Sequence, residues 1–84
     1  MSPATKQPNE ATYSGRFAAR LRMFRKKTGM TGTEMTAALI EVGCKIKHRT
    51  WYSWESGTTQ PTLDALPAIA QVFGVSIRVL MPPK

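Results

Sequence analysis

One cysteine, one histidine and five carboxylates are all that this 84-residue chain offers to redox, metal or acid–base chemistry. Cys44 has no partner for an internal disulfide, which points to a reducing compartment. With His48 as the lone imidazole, a zinc site of usual composition cannot be assembled, and no metal or other cofactor is expected. The acids, Glu10, Glu34, Glu41, Glu55 and Asp64, lie scattered without the paired acid and base that catalysis requires. The chain is therefore not expected to be an enzyme, and no small-molecule substrate is evident. No apolar run approaches the ~20 residues that cross a bilayer, and the polar, proline-containing N-terminus lacks the apolar stretch of a signal peptide. A soluble, cytoplasmic protein with no membrane partner is expected. Strand-like alternation, internal repeats and low-complexity blocks are missing as well.

What the chain has in excess is positive charge. Twelve Lys and Arg against five acids give a net +7, a balance suited to a phosphate-rich partner. Its length allows one small domain and excludes a large enzyme core.

Punctuation along the chain predicts an all-α domain. Residues 1–13, with Pro3 and Pro8 among polar groups, bury too little apolar surface to offset ordering entropy and read as a flexible N-terminal arm. A first helix starts at Ser14 as N-cap, carries Phe17, Leu21 and Phe24 on one stripe, and stops at Gly29. A second follows Thr31 or Thr33, buries Met35, Ala38, Leu39 and Val42, and stops at Gly43. After a connection over Cys44 to Ile46, a third helix runs from about Lys47 to Glu55 or Ser56 and ends at Gly57. A fourth places Leu66, Ile69, Ala70 and Phe73 on one side and ends at Gly74. Asp64 is favoured over Thr62 as its cap, because Pro67 then becomes the third helical residue, where proline is tolerated. Ser76 can cap a last short turn through Met81. The helical domain thus spans 14–81, with 82–84 a C-terminal tail.

The segment Lys45 to Gly57 combines two opposed chemistries. In a helix Trp51 and Trp54 share one face, while His48, Arg49, Tyr52 and Ser53 project on other sides. Two helices joined by a short connection, the second basic and polar on its outer side, is the arrangement that lets a helix enter the DNA major groove.

Trp54-Glu55-Ser56-Gly57, Pro61-Thr62-Leu63 and the run Leu66 to Val75 that leads into Ser76, together with Arg22 to Thr31, resemble the Cro/cI-type (lambda repressor-like, XRE) helix-turn-helix proteins over most of residues 16–81. The resemblance implies a five-helix lambda repressor-like DNA-binding domain with a helix-turn-helix, usually a homodimer on a palindromic double-stranded DNA operator. Counted back from Trp54-Glu55, it puts His48, Arg49, Thr50 and Ser53 at base-reading positions, Lys47 and Ser56 at backbone phosphates, and Tyr52 at a flanking site of variable role. It implies a structural ion pair between Arg25 and Glu55. Dimer contacts are expected from the last helix and its neighbours, including Ile77, Val79, Leu80 and Met81.

Two departures from the family pattern matter. The stretch between Thr31 and Trp54 is about five residues longer than usual, lengthening the second helix, the turn or both; if the turn, Lys45 joins the DNA contacts. Gly32 stands where relatives often carry a bracing glutamine, for which Thr33 is the candidate substitute.

The side chains at the reading positions suit that task on their own chemistry. Arg49 can donate two hydrogen bonds to guanine O6 and N7, His48 can donate to guanine acceptors, and Thr50 and Ser53 can donate or accept. The expectation is a transcriptional repressor of bacterial, phage or plasmid origin, working in the bacterial nucleoid by occupying an operator. An antitoxin that represses its own promoter is the alternative of the same class. A protein-interaction or co-activator module on the same scaffold, and a single-strand or RNA binder using its tryptophans, are alternatives of other classes. Six cations over residues 16–27 (Arg16, Arg20, Arg22, Arg25, Lys26 and Lys27) read either as a solvated face or as a phosphate-contacting flank. Cys44 beside Lys45 reads as an apolar turn residue or, with a lowered pKa, a redox sensor.

Overall fold

In the computed structural model, which describes residues 9–82, five helices run in the order α1 (Tyr13–Thr28), α2 (Gly32–Glu41), α3 (His48–Ser56), α4 (Ala65–Phe73) and α5 (Ile77–Leu80), with no strand among the described residues. The start of α1 differs from the cap the sequence suggests. A turn closes from the Thr12 N–H to the Asn9 carbonyl (3.1 Å), and the Thr12 hydroxyl, not that of Ser14, accepts the Gly15 N–H at 3.0 Å. Tyr13 is consequently the first residue of α1. Gly15 is required by the same turn, since a Cβ there would lie 1.6 Å from the Asn9 carbonyl oxygen. Of the arm expected over residues 1–13, residues 1–8 lie outside the described residues.

Between the two candidate caps of α2, Thr31 holds the position. Its hydroxyl accepts the Glu34 N–H while the Glu34 carboxylate accepts the Thr31 N–H, a closed capping box. Thr33 is then an exposed residue of the first turn. The connection to α3 occupies residues 42–47, longer than the 3–4 residues of a simple helix-turn-helix turn, so added length lies in the turn. It is nonetheless tied down. The Gly43 and Cys44 N–H groups donate to Ile40 and Leu39 carbonyls, and Cys44 and Ile46 pack against the core.

Helix α3 ends where Gly57 adopts φ +80°, a left-handed conformation that closes the helix at little cost only for glycine. Asp64 precedes α4 as expected and makes Pro67 its third residue, where the missing N–H breaks no helical bond. The Asp64 carboxylate makes no cap; the Ala65 and Leu66 N–H groups instead bond the Thr62 and Leu63 carbonyls.

The core takes Phe17, Leu21 and Phe24 from α1, Met35 and Leu39 from α2, Trp51 and Trp54 from α3, Ala65, Ile69 and Ala70 from α4, and Leu80 from α5. Its centre is aromatic, with Phe24 stacked on Phe73 at 5.5 Å and Trp51 edge-on to both Trp54 (6.0 Å) and Phe73 (6.3 Å). The short last helix is fastened to the first. The Tyr13 hydroxyl donates to the Pro82 carbonyl at 3.0 Å, and Arg20 Nε donates to the Val79 carbonyl at 2.9 Å. Pro82 is buried by this arrangement; the remaining tail residues, 83–84, lie outside the described residues. Leu80, expected among the dimer contacts, is fully buried and serves the core, because four residues of helix point only one such side chain inward. Ile77 and Val79 remain exposed and Met81 partly so.

Candidate nucleic-acid interface

The site begins with what holds α3 from inside. Glu55 is 1% exposed, and an isolated carboxylate so placed would be costly without partners. It has three. Arg25 donates through Nε to Oε2 and through Nη2 to Oε1 (3.1 Å), the indole Nε1–H of Trp51 donates to Oε2, and Arg22 Nε lies 3.7 Å from Oε1. Arg25 also donates to the Met30 carbonyl at 2.9 Å, so one guanidinium ties α1, the α1–α2 turn and α3. The hydrogen bond to Glu55 pushes the Arg25 pKa above its ordinary value, against the opposing effect of desolvation. A raised base stabilises the fold at every pH below its unfolded value and loses that contribution only above it. For Arg25 that range covers all working pH. The Arg25–Glu55 pair was expected, but the involvement of Trp51 and Arg22 was not; the signal was their spacing, one helical turn before Glu55 and before Arg25 respectively.

With Trp51, Trp54 and Glu55 turned inward, helical geometry turns Arg49 and Ser53 directly outward. Arg49 is exposed and Ser53 half-buried. His48 and Tyr52 stand together on the flank facing the start of α2, their rings edge-on at 4.7 Å. Thr50 lies on the opposite flank, half-buried in an open groove with Lys47, Trp54 and the beginning of α4. The four residues expected to read bases therefore divide into a central pair and two flanking residues. Lys45 and Lys47 are both exposed on the connection leading into α3. Ser56 is not free for a phosphate: it is mostly buried, donates to the Ser53 carbonyl at 3.1 Å and lies 2.8 Å from the Thr58 hydroxyl. It finishes the C-terminal turn of α3.

The basic run of α1 is likewise no uniform face. Arg16 reaches the Glu10 carbonyl and the Tyr13 ring, Arg20 the Val79 carbonyl and the Phe24 ring, and Arg22 and Arg25 the Glu55 carboxylate. Lys26 and Lys27, at the end nearest α2, are exposed. Trp51 and Trp54 are 0% and 5% exposed, which leaves no indole face on which a base could stack. Burial raises the Cys44 thiol above its ordinary value, the opposite of the lowered pKa that a thiolate sensor needs.

The entry to α3 is electrostatically unfinished. Lys47 occupies the N-cap with φ −92° and ψ +154° and makes no side-chain cap, and His48 and Arg49 follow in the first turn. Cations at a helix N-terminus oppose the helix dipole, an arrangement that an external anion relieves. Lys47→Ser should therefore stabilise the free protein by about 1 kcal/mol, seen as a melting temperature higher by roughly 4–8 °C, while weakening binding to any polyanion. A melting temperature that falls would show that Lys47 is bound into the fold in some other way.

A family model described as a helix-turn-helix domain matches residues 16–81, from the first turn of α1 to the end of α5. No curated protein and no solved structure matches the chain.

Proposed function

Because the chain belongs to the helix-turn-helix domain family across residues 16–81, we propose that it is a sequence-specific double-stranded DNA-binding transcriptional regulator. In this reading it is a Cro/cI-like repressor that occupies a palindromic operator as a homodimer. The observation that carries the reading is one nine-residue helix with a buried, ion-paired inner face and a polar, cationic outer face. The inner face fixes orientation, and the outer face is left to make contacts. Arg49, at the centre of that face, is the base reader whose geometry best matches guanine O6 and N7, with Ser53 beside it and His48 and Thr50 on the flanks. Lys45 and Lys47 supply sequence-independent phosphate contacts. A two-fold dimer built on the exposed Ile77 and Val79 of α5 would set two α3 helices about 34 Å apart, one turn of the duplex. Repression follows from steric exclusion of polymerase, and the protein acts where the DNA is, in the cytoplasm.

Selection from random duplexes tests this. The native protein should recover a palindromic site, and Arg49→Ala should lose discrimination at one position per half-site by roughly ten- to a hundredfold. Lys47→Ala should weaken all duplexes alike and reduce the slope of log affinity against log salt by about 0.9. Equal binding of every duplex by the native protein defeats the specific-regulator reading.

A further inference from the structure

Gly32 is buried at the first position of α2, and nothing about its backbone calls for glycine. Its φ is not among the positive values, which occur at Gly29, Gly43, Gly57 and Gly74. Alanine is the better helix former by up to about 1 kcal/mol. What a side chain there would meet is the Tyr52 ring. A Cβ at residue 32 would lie 2.6 Å from both Cζ and Oη of Tyr52 and 3.0 Å from its Cε1. The phenol ring rests on the helix where a side chain would otherwise be. From that seat the Tyr52 ring meets His48, one helical turn earlier, edge-on at 4.7 Å and 86°.

We propose that Tyr52, seated on Gly32, is a positioning residue for His48, fixing the imidazole before DNA arrives and so setting the base preference at the position His48 faces. This rests on the DNA-binding reading above. The effect is one of pre-organisation. His48 is exposed, and an exposed imidazole samples several rotamers, so holding it against a ring removes an ordering cost that binding would otherwise meet. Tyr52 can do this because its ring, although 39% exposed, rests against the first turn of α2 at Gly32. The missing side chain at position 32 and the large one at position 52 therefore act as one device, while Thr33, the candidate brace, is exposed in the first turn of α2.

His48 is the only histidine of the 84 residues, so its ring protons are assigned without ambiguity in an NMR spectrum of the free chain. In the native protein they should be displaced from random-coil positions by the tyrosine ring current. Tyr52→Phe should keep the displacement, whereas Tyr52→Ala and Gly32→Ala should lose it while each variant still melts cooperatively. In duplex selection, the position relaxed by His48→Ala should relax about fivefold in Gly32→Ala and Tyr52→Ala, be retained in Tyr52→Phe, and leave the Arg49 position untouched. Unmoved His48 resonances in Tyr52→Ala overturn the proposal, as does full preference at the His48 position in that variant. If Gly32→Ala does not fold, the pair Tyr52→Ala and Tyr52→Phe still decides it. Loss of the ring-current shift in Tyr52→Ala, together with equal binding of every duplex by the native protein, would instead leave the positioning contact standing and remove the regulator reading.

Discussion

Glu55→Ala is expected to cost about 3–5 kcal/mol, because it leaves the Arg25 guanidinium, 14% exposed, without its carboxylate. A domain of this length has only about 4–12 kcal/mol in total, so the variant should lose a quarter or more of its stability. The loss has a specific cause and can be partly reversed. Glu55→Gln combined with Arg25→Leu removes both charges while leaving an amide oxygen to accept the Trp51 indole N–H, and should be clearly more stable than Glu55→Ala. Urea denaturation followed by circular dichroism measures both. A double variant no more stable than Glu55→Ala would mean that stranded charge is not what the single substitution exposes. Even when folded, the double variant should bind DNA poorly, since the guanidinium also holds the Met30 carbonyl and with it the entry to α2.

Trp51→Ala should be comparably damaging, at about 3–5 kcal/mol, since this side chain is fully buried against Trp54 and Phe73. Trp51→Phe separates the two contributions of the residue. It keeps most of the aromatic packing but removes the donor to Glu55, and should cost about 1–3 kcal/mol for the buried acceptor left one bond short. Thermal melts of the two variants give the comparison. A phenylalanine variant as stable as the native protein would show that the indole N–H contributes nothing to the anchor and that Arg25 alone satisfies Glu55.

These effects converge on α3, and α3 is where the sequence is easiest to read. Trp51, Trp54 and Glu55 at spacings of three and four define an inner side, and Gly57 defines the end. The helix boundaries set by Gly29, Gly57 and Gly74 were legible for the same reason, that a left-handed residue is a local requirement. What was not legible depends on chain segments meeting from a distance. Thr12 displaces Ser14 as cap only because Asn9 turns back toward it. Arg20 looks like a solvated cation until its bond to Val79, far along the chain, is seen, and Leu80 looks like a surface apolar residue until α5 docks on α1. Ser56 matched a phosphate position by register, but Thr58 folds back over it. The pairing of Gly32 with Tyr52 is the strongest case. Composition marks the glycine as a weak helix former, and only the fold supplies its reason.

On the proposed function, the outer face of α3, with the connection before it, is the surface that meets DNA. Titrating isotopically labelled protein with duplex DNA and following backbone amide shifts tests it most directly, at low salt so that even sequence-independent contacts populate the complex. The largest changes are expected at Lys45, Lys47, His48, Arg49 and Ser53, with Ile69 and Leu80 in the core little affected. Changes concentrated on α4 and α5, with Arg49 and Ser53 unmoved, would contradict it.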